Sequence, residues 1–452
     1  MKKVYSVIGL GKLGASMAAA IASRGFNVIG LDINQKNVDD VNSRHAPIQE
    51  TDLEKIIQDN EERLCATTNW HDTILCSDVS FVIVPTPSKD NGSFSLEYAK
   101  NAFTEIGKVL KNKSKYHLIV LTSTVLPGST RYGLLSILEK ESGKICGKDF
   151  GLCYSPEFIA LGSIIHDFLN PDFNLIGEFD KKSGDLLQQC YKEIMCNNPP
   201  CKRMTIENAE LTKIALNTFV TTKITFANML AELCNYIPDG DIDVITDALG
   251  SDTRIGRKYL TGGLGYGGPC FPRDNKALNY FANALGSSAD IAEITDEIND
   301  SLTQEIGYRI AYIRKEKSIV AILGLAYKPL SSVIEQSQSI KLVEYLNDLG
   351  LKIIGYDPLV KEIQGNNMEI FPDIKECLQI ADIVVIATPD KEFLTIDKDD
   401  FPINKKIIVY DCWRLLREKL NNVPNIKYFA FGIDQYPIYN KQMLKKLWQN
   451  ND

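Results

Sequence analysis

Short apolar runs alternate with longer mixed segments toward both ends of this chain. The first run, Val4-Tyr5-Ser6-Val7-Ile8, turns into Gly9-Leu10-Gly11-Lys12-Leu13-Gly14 and then an alanine-rich stretch from Ala15 to Arg24. An apolar run closed by glycines and followed by helix formers reads as strand, tight turn, helix. Asn27 to Leu31 predicts a second strand ending at Asp32, and Ser80 to Pro85 and His117 to Thr122 predict two more ahead of turns or helices. The alternation starts again at Ser318 to Gly324 and continues through Leu351 to Pro358, Asp382 to Thr388 and Lys406 to Asp411. Repeated alternation of this kind predicts helix-covered parallel sheets, so the expected fold class is α/β.

Between the two alternating regions, Lys202 to Ile237 runs for 36 residues without Gly or Pro. Helical rise would carry such a segment roughly 54 Å, which predicts one long central helix or two nearly continuous ones. Leu216, Phe219, Val220, Lys223 and Ile224 give it a broad apolar surface, as in a domain connector or a dimer core. The expected domains are therefore 1–200, 201–315 and 316–452. The two α/β ends share a layout rather than a sequence period, as expected of a repeated domain type.

Composition narrows the function classes. The chain has 452 residues, 44% hydrophobic and 24% charged, enough for two or three domains with their own cores and unlike a disordered chain. Lys plus Arg is 50 against 58 Asp plus Glu, with no long basic run, so no nucleic-acid partner is expected. Apolar runs break before the length of a membrane span, and His45, His71, His117 and His166 lack ligand spacing, so neither a membrane nor a metal is expected. Eleven cysteines without a CxxC pair, and no signal-peptide pattern, point to a reducing cytoplasm. Cysteines such as Cys65, Cys153 and Cys234 are expected to be small buried hydrophobes. Lys111 to Lys115 and Arg314 to Lys317 are expected to be solvated linkers or helix ends.

The opening glycines carry the first candidate chemistry. Gly9, Gly11 and Gly14 form GxGxxG after a strand, with Lys12 and Leu13 inside the motif. The first glycine permits the turn, the second lets backbone approach a pyrophosphate, and the third permits close helix packing. Asp32, at the end of the next strand, would accept the ribose hydroxyls and repel a 2′-phosphate, so NAD is the expected cofactor. Pro85-Thr86 and the Thr122 to Gly128 segment, with Thr124, follow strands where loops approach a dinucleotide; ordinary turns explain them equally well.

The second candidate is Gly262 to Asp274, five glycines and two prolines around Cys270. Such a segment is costly to order for stability alone. Cys270 is a candidate nucleophile, and Asp274 a candidate to activate water. Lys213 and Asn217, four residues apart, share a helix face and can both donate to one oxyanion, although a solvated polar patch has the same spacing. Glu157, in Tyr154-Ser155-Pro156-Glu157-Phe158, follows a strand at the end where α/β enzymes place functional loops. With a dinucleotide domain, these residues fit oxidation of an alcohol, capture of the aldehyde by the thiol, a second oxidation to a thioester, and hydrolysis to an acid.

These stretches resemble the UDP-glucose/GDP-mannose dehydrogenase family. The resemblance runs through Ser123-Thr124-Val125-Leu126-Pro127-Gly128, Pro156-Glu157-Phe158, Ala209-Glu210-Leu211-Thr212-Lys213-Ile214-Ala215-Leu216-Asn217, Asp252 to Gly256, the Cys270 loop, Gly324 to Lys328 and Tyr356-Asp357-Pro358. It implies two Rossmann-like domains joined by a central helical domain whose long helix builds a homodimer, with larger assembly left open. It implies a UDP-sugar substrate oxidised twice at C6, Cys270 as nucleophile and Asp274 assisting water activation. Lys213 and Asn217 would serve the oxyanion and water, Glu157 thioester hydrolysis, and Thr124 the cofactor and water side. Arg254 would reach a neighbouring subunit's sugar site. Phe158, Tyr259, Gly267, Lys328 and Arg414 would contact the nucleotide sugar.

The chain also departs from the family pattern. Leu161 stands where glucose-type members usually carry glutamate, Val333 and Glu335 replace aspartate and arginine, Pro269 replaces serine, and Asp411-Cys412-Trp413-Arg414 replaces aspartate-glycine-arginine. Pro156-Glu157-Phe158 favours UDP-glucose, with the same oxidation of a UDP-N-acetylhexosamine as the alternative. A plain alcohol dehydrogenase would have no use for Cys270, and an inactive nucleotide-sugar-binding protein no use for the acid-base set.

Overall fold

A computed structural model describes residues 2–314, 317–363 and 368–449. The chain forms two compact units, Met1–Leu216 with Tyr280–Leu285, and Asn217–Asn279 with Gly286–Asp452.

The first unit is built on strands β1 (Val4–Ile8), β2 (Asn27–Leu31), β3 (Leu64–Thr67), β4 (Val79–Val82), β5 (Leu118–Leu121), β6 (Gly151–Tyr154), β7 (Asn174–Glu178) and β8 (Cys201–Thr205). They lie in the order β3-β2-β1-β4-β5-β6-β7-β8. Pairing is parallel, with Val4 opposite Asn27 and Ile8 opposite Val82, except that β6 and β7 run antiparallel. The expected all-parallel sheet therefore gains a reversed pair at one side. Val7, Phe81 and Val120 face one core layer, while Ile8, Val82 and Ile119 face the other. Both sheet faces are thus covered, which is why these strands read as continuous apolar runs rather than alternating ones. Each such buried aliphatic side chain contributes about 1.5–3 kcal/mol.

The second unit holds β9 (Ile319–Leu323), β10 (Lys352–Tyr356), β11 (Glu369–Ile370), β12 (Ile383–Ile386), β13 (Ile407–Asp411) and β14 (Ile426–Ala430), all parallel, ordered β11-β10-β9-β12-β13-β14. Its order repeats that of β3 through β6 in the first unit, which bears out the shared layout of the two ends. In both sheets the order reverses beside the first strand, and crevices at such switch points are where α/β sheets bind ligands.

The predicted long helix is continuous from Ile206 to Cys234, 29 residues. Its first turns belong to the first unit and the remainder to the second. Phe219, Phe226, Met229 and Leu233 are exposed along it in the single chain.

Two smaller expectations are corrected. Lys113 is buried, not solvated, and donates to the carbonyls of Ile74, Leu75 and Ser77, the unsatisfied end of the helix Trp70–Cys76. Cys65 is exposed rather than a core hydrophobe, while Cys153 and Cys234 are buried as expected. In the Arg314–Lys317 run, Lys315 and Glu316 lie outside the described residues. No described helix is long and apolar enough to cross a membrane.

Candidate active site

The glycine motif of the first unit is sterically sorted. Gly9 has φ 96°, and its N–H donates to the Leu31 carbonyl at 2.7 Å. A Cβ on Gly14 would sit 1.7 Å from the Gly9 carbonyl oxygen, so only glycine allows the helix Gly14–Ser23 to pack on the turn. A Cβ on Gly11 would meet nothing within 4 Å. Gly11 thus lies beside open space at a helix N-terminus, where a diphosphate can approach backbone N–H groups. Lys12 is exposed and Leu13 half-buried beside it. Asp32 Oδ2 accepts the Leu10 N–H at 2.7 Å and Asn37 Nδ2 at 3.1 Å, and its Oδ1 accepts the Asn34 N–H at 2.8 Å. The carboxylate is therefore fixed at the crevice. These residues fit an NAD molecule.

The loops after β4 and β5 are tied together. Ser123 Oγ accepts the Val84 N–H at 2.9 Å and donates to the Val84 carbonyl at 2.6 Å. Thr86 Oγ1 donates to the Thr124 carbonyl at 2.7 Å. Pro85, Thr86 and Thr124 are thus neighbours, although the sequence left their loops open to an ordinary turn reading. Ser123 was assigned no role from sequence; its place inside the Thr122 to Gly128 segment was the available signal.

After β6, Glu157 is half-buried and its carboxyl is pushed up to about 8, mainly by desolvation, with the Lys213 charge partly offsetting that. Lys213 Nζ donates to the Glu157 carbonyl oxygen at 2.6 Å and lies 4.7 Å from the Phe158 ring centroid. Phe158 in turn packs against Phe173. The structure therefore brings Glu157, Phe158 and Lys213 together.

In the second unit, Cys270 is exposed and immediately precedes the helix Phe271–Ala284, and its carbonyl accepts the Asp274 N–H at 2.9 Å. A helix N-terminus stabilises negative charge placed there. Asp274, 1% exposed, accepts Asn217 Nδ2 at 2.7 Å and Arg273 Nε at 3.3 Å. Behind this pair, Asn275 Nδ2 donates to Asp296 Oδ1 at 2.8 Å and to Thr221 Oγ1 at 3.1 Å, and Tyr266 donates its hydroxyl to Asp296. Thr221 is one helical turn beyond Asn217, a spacing that could have flagged it.

The glycines of the Cys270 loop each meet a wall. A Cβ on Gly267 would lie 2.2 Å from the Gln336 carbonyl oxygen, and one on Gly268, at φ 85°, would lie 2.5 Å from the Tyr327 ring. The Gly268 N–H donates to the Glu335 carbonyl at 3.0 Å. Glu335, a departure from the family pattern, therefore braces this loop through its backbone. Lys328 lies 5.9 Å from the Tyr327 ring centroid. Tyr259 is exposed with φ 63°, its ring 6.5 Å from that of Phe271. Arg254 is exposed and paired with Asp252.

Arg414 has a different occupation from the nucleotide-sugar contact implied by the resemblance. It is buried, pairs bidentately with Asp243, and donates to the carbonyls of Gly262, Cys412 and Phe431, which engages every N–H of its guanidinium. It holds the start of the Cys270 loop. Trp413, within the segment that departs from the family pattern, packs on Gly263.

The comparisons follow the same division of the chain. Residues 3–195 match the NAD-binding domain, 207–301 the central domain and 321–418 the UDP-binding domain of the UDP-glucose/GDP-mannose dehydrogenase family. A UDP-glucose 6-dehydrogenase of Haloferax volcanii is 34% identical over 427 residues, 92% of this chain and 97% of the relative. A GDP-mannose 6-dehydrogenase of Pseudomonas putida is 34% identical over 406 residues, 86% and 91% of the two chains. The structure of a UDP-glucose dehydrogenase from Pyrobaculum islandicum superposes with a TM-score of 0.85 at 28% identity, covering 96% of this chain and 98% of that one. The chain belongs to the UDP-glucose/GDP-mannose dehydrogenase family of NAD-dependent nucleotide-sugar dehydrogenases.

Proposed function

We propose that this enzyme oxidises C6 of UDP-glucose twice, giving UDP-glucuronate, with Cys270 as the covalent nucleophile. The observation that carries the reading is the exposed Cys270 thiol at the head of a helix whose next turn buries Asp274 against Asn217. UDP-glucose is favoured by the Haloferax and Pyrobaculum relatives and by Pro156-Glu157-Phe158.

NAD, when bound, supplies the hydride acceptor for each of the two oxidations. The Gly11 turn and Asp32 would hold it, with the Pro85-Thr86 and Thr124 loops, tied to each other, as its further contacts. Removal of hydride and the hydroxyl proton turns the alcohol into an aldehyde. The Cys270 thiol then adds across the carbonyl: sulfur bonds to C6 and a proton ends on oxygen, giving a thiohemiacetal. Loss of a second hydride and that proton leaves a thioester. Water adds to it, the C–S bond breaks, the thiol recovers a proton, and the carboxylate departs. Lys213 and Asn217 donate to the oxyanions, while Asp274 and Glu157 accept protons from the attacking water. Such positioned acid-base groups are worth about 10²–10⁴-fold each. By the family resemblance, Phe158, Tyr259, Gly267 and Lys328 would contact the sugar nucleotide and Arg254 a partner's site, while Arg414 holds Gly262.

The exposed apolar residues of the long helix support a homodimer. The same reading places the enzyme in the cytoplasm. The test is kcat/KM with UDP-glucose, GDP-mannose and UDP-N-acetylglucosamine in parallel. UDP-glucose leading by at least about tenfold, a 1.4 kcal/mol discrimination, is expected; a lead by either competitor overturns the substrate assignment.

A further inference from the structure

The first turns of the long helix carry a carboxylate with no part in the chemistry above. Glu210 is fully buried. Its Oε2 accepts the Gly128 N–H at 2.6 Å and its Oε1 accepts the Thr130 N–H at 2.9 Å. Gly128 has φ 88° and begins the turn that follows Thr124. One turn earlier on the helix, Glu207 accepts Arg131 Nε at 2.5 Å. One turn later, Lys213 holds the Glu157 carbonyl. Residues 207, 210 and 213 share a helix face, so one row of side chains grips the loop after β5 and the loop after β6.

Burying a carboxylate is costly, and its charge is tolerated here because two backbone donors meet both oxygens. Desolvation nevertheless pushes the Glu210 carboxyl up to about 7. A leucine at this position would leave two buried N–H groups unsatisfied. Stability of the helix alone does not require an acid that bridges to a loop 80 residues away.

We propose that Glu210 is a positioning residue that fixes the Thr124–Thr130 loop to the helix bearing Lys213, so that the cofactor side and the oxyanion side of the reaction keep one spacing. This rests on the roles assigned above to Thr124 and Lys213. Glu210→Gln keeps the volume but turns an NH2 toward one of the two N–H groups, breaking one contact. The variant is expected to exchange the Gly128 and Thr130 amides at least about tenfold faster and to lose at least about tenfold in kcat with UDP-glucose, since sub-ångström to ångström misplacement costs that much or more. Its KM for UDP-glucose should stay within about threefold, because the substrate contacts are untouched.

A role confined to stability would lower the melting temperature and leave kcat per folded molecule alone. Unchanged amide exchange, or kcat within about twofold of wild type in the folded variant, overturns the proposal. If Glu210→Gln does not fold, Glu210→Asp, which keeps the charge and withdraws it by a methylene, is read by the same criteria. A wild type that turns over no nucleotide sugar defeats the functional reading, whereas the amide-exchange comparison still decides the clamp.

Discussion

Asn217 donates from Nδ2 to Oδ2 of Asp274 across 2.7 Å, and both side chains are buried. The bond fixes the carboxylate one helical turn from Cys270. An aspartate held this way, with Arg273 on its other oxygen, is preorganised to orient water and take a proton. Asp274→Asn is expected to lower kcat by at least about 100-fold with KM for UDP-glucose changed by less than about threefold. Steady-state kinetics on the folded variant checks this; an unchanged kcat would remove Asp274 from the mechanism.

Gly11 and Gly14 should respond oppositely to alanine. Gly14→Ala drives a Cβ to 1.7 Å from the Gly9 carbonyl, and overpacking of that kind costs about 1–3 kcal/mol or more. Gly11→Ala meets no protein atom, so its melting temperature should match wild type while its KM for NAD rises. Thermal unfolding with and without NAD separates the two.

The repetition of strands and glycine turns made both sheets legible, because a strand covered on both faces is an uninterrupted apolar run. The antiparallel β6–β7 pair was not legible: direction depends on connection geometry and leaves no mark in a run such as Asn174 to Glu178. Among the residues discussed, the candidates Gly9, Gly14 and Cys270 stood out through local chemistry. Glu210, Thr221 and Lys113 did not, since a polar residue inside a helical stretch or a lysine in a basic run reads as solvated until its distant partners are known. Arg414 shows the converse: a motif can mark an arginine without revealing that Asp243 and nearby carbonyls already occupy it.

Asp32 is tied into the glycine turn, and the proposed function also gives it the cofactor's ribose. Its Oδ2 accepts the Leu10 N–H inside the glycine turn, and Asp357 repeats the device in the second unit by accepting the N–H groups of Leu325 and Ala326. Asp32→Ala is expected to destabilise by about 1–3 kcal/mol through the lost acceptor. It should also shrink the preference for NAD over NADP by at least about tenfold, because a 2′-phosphate no longer meets a carboxylate. Melting temperature and the two cofactor KM values test both halves.

If Glu157 acts as proposed, the reaction is expected to depend on pH. Burial raises its carboxyl to about 8, so the group is protonated at neutral pH and ionises as pH rises through that value. As a base toward water it should make uronate formation rise with pH and level off above about 8. Glu157→Gln should flatten this limb and leave any dependence due to Glu210, whose carboxyl burial pushes up to about 7. Linkage has the opposite sign. The raised value adds stability that is complete below about 4.3, the unfolded glutamate value, and is lost as pH rises through about 8. Urea midpoints from pH 5 to 9 should therefore fall more steeply for wild type than for Glu157→Gln.

The central claim is a four-electron oxidation through Cys270, and NADH yield per limiting UDP-glucose tests it most directly, with products separated by charge. Wild type should give two NADH and one uronate per sugar, and Cys270→Ala no uronate. One NADH with an aldehyde product, or an undiminished uronate yield from Cys270→Ala, would contradict the account.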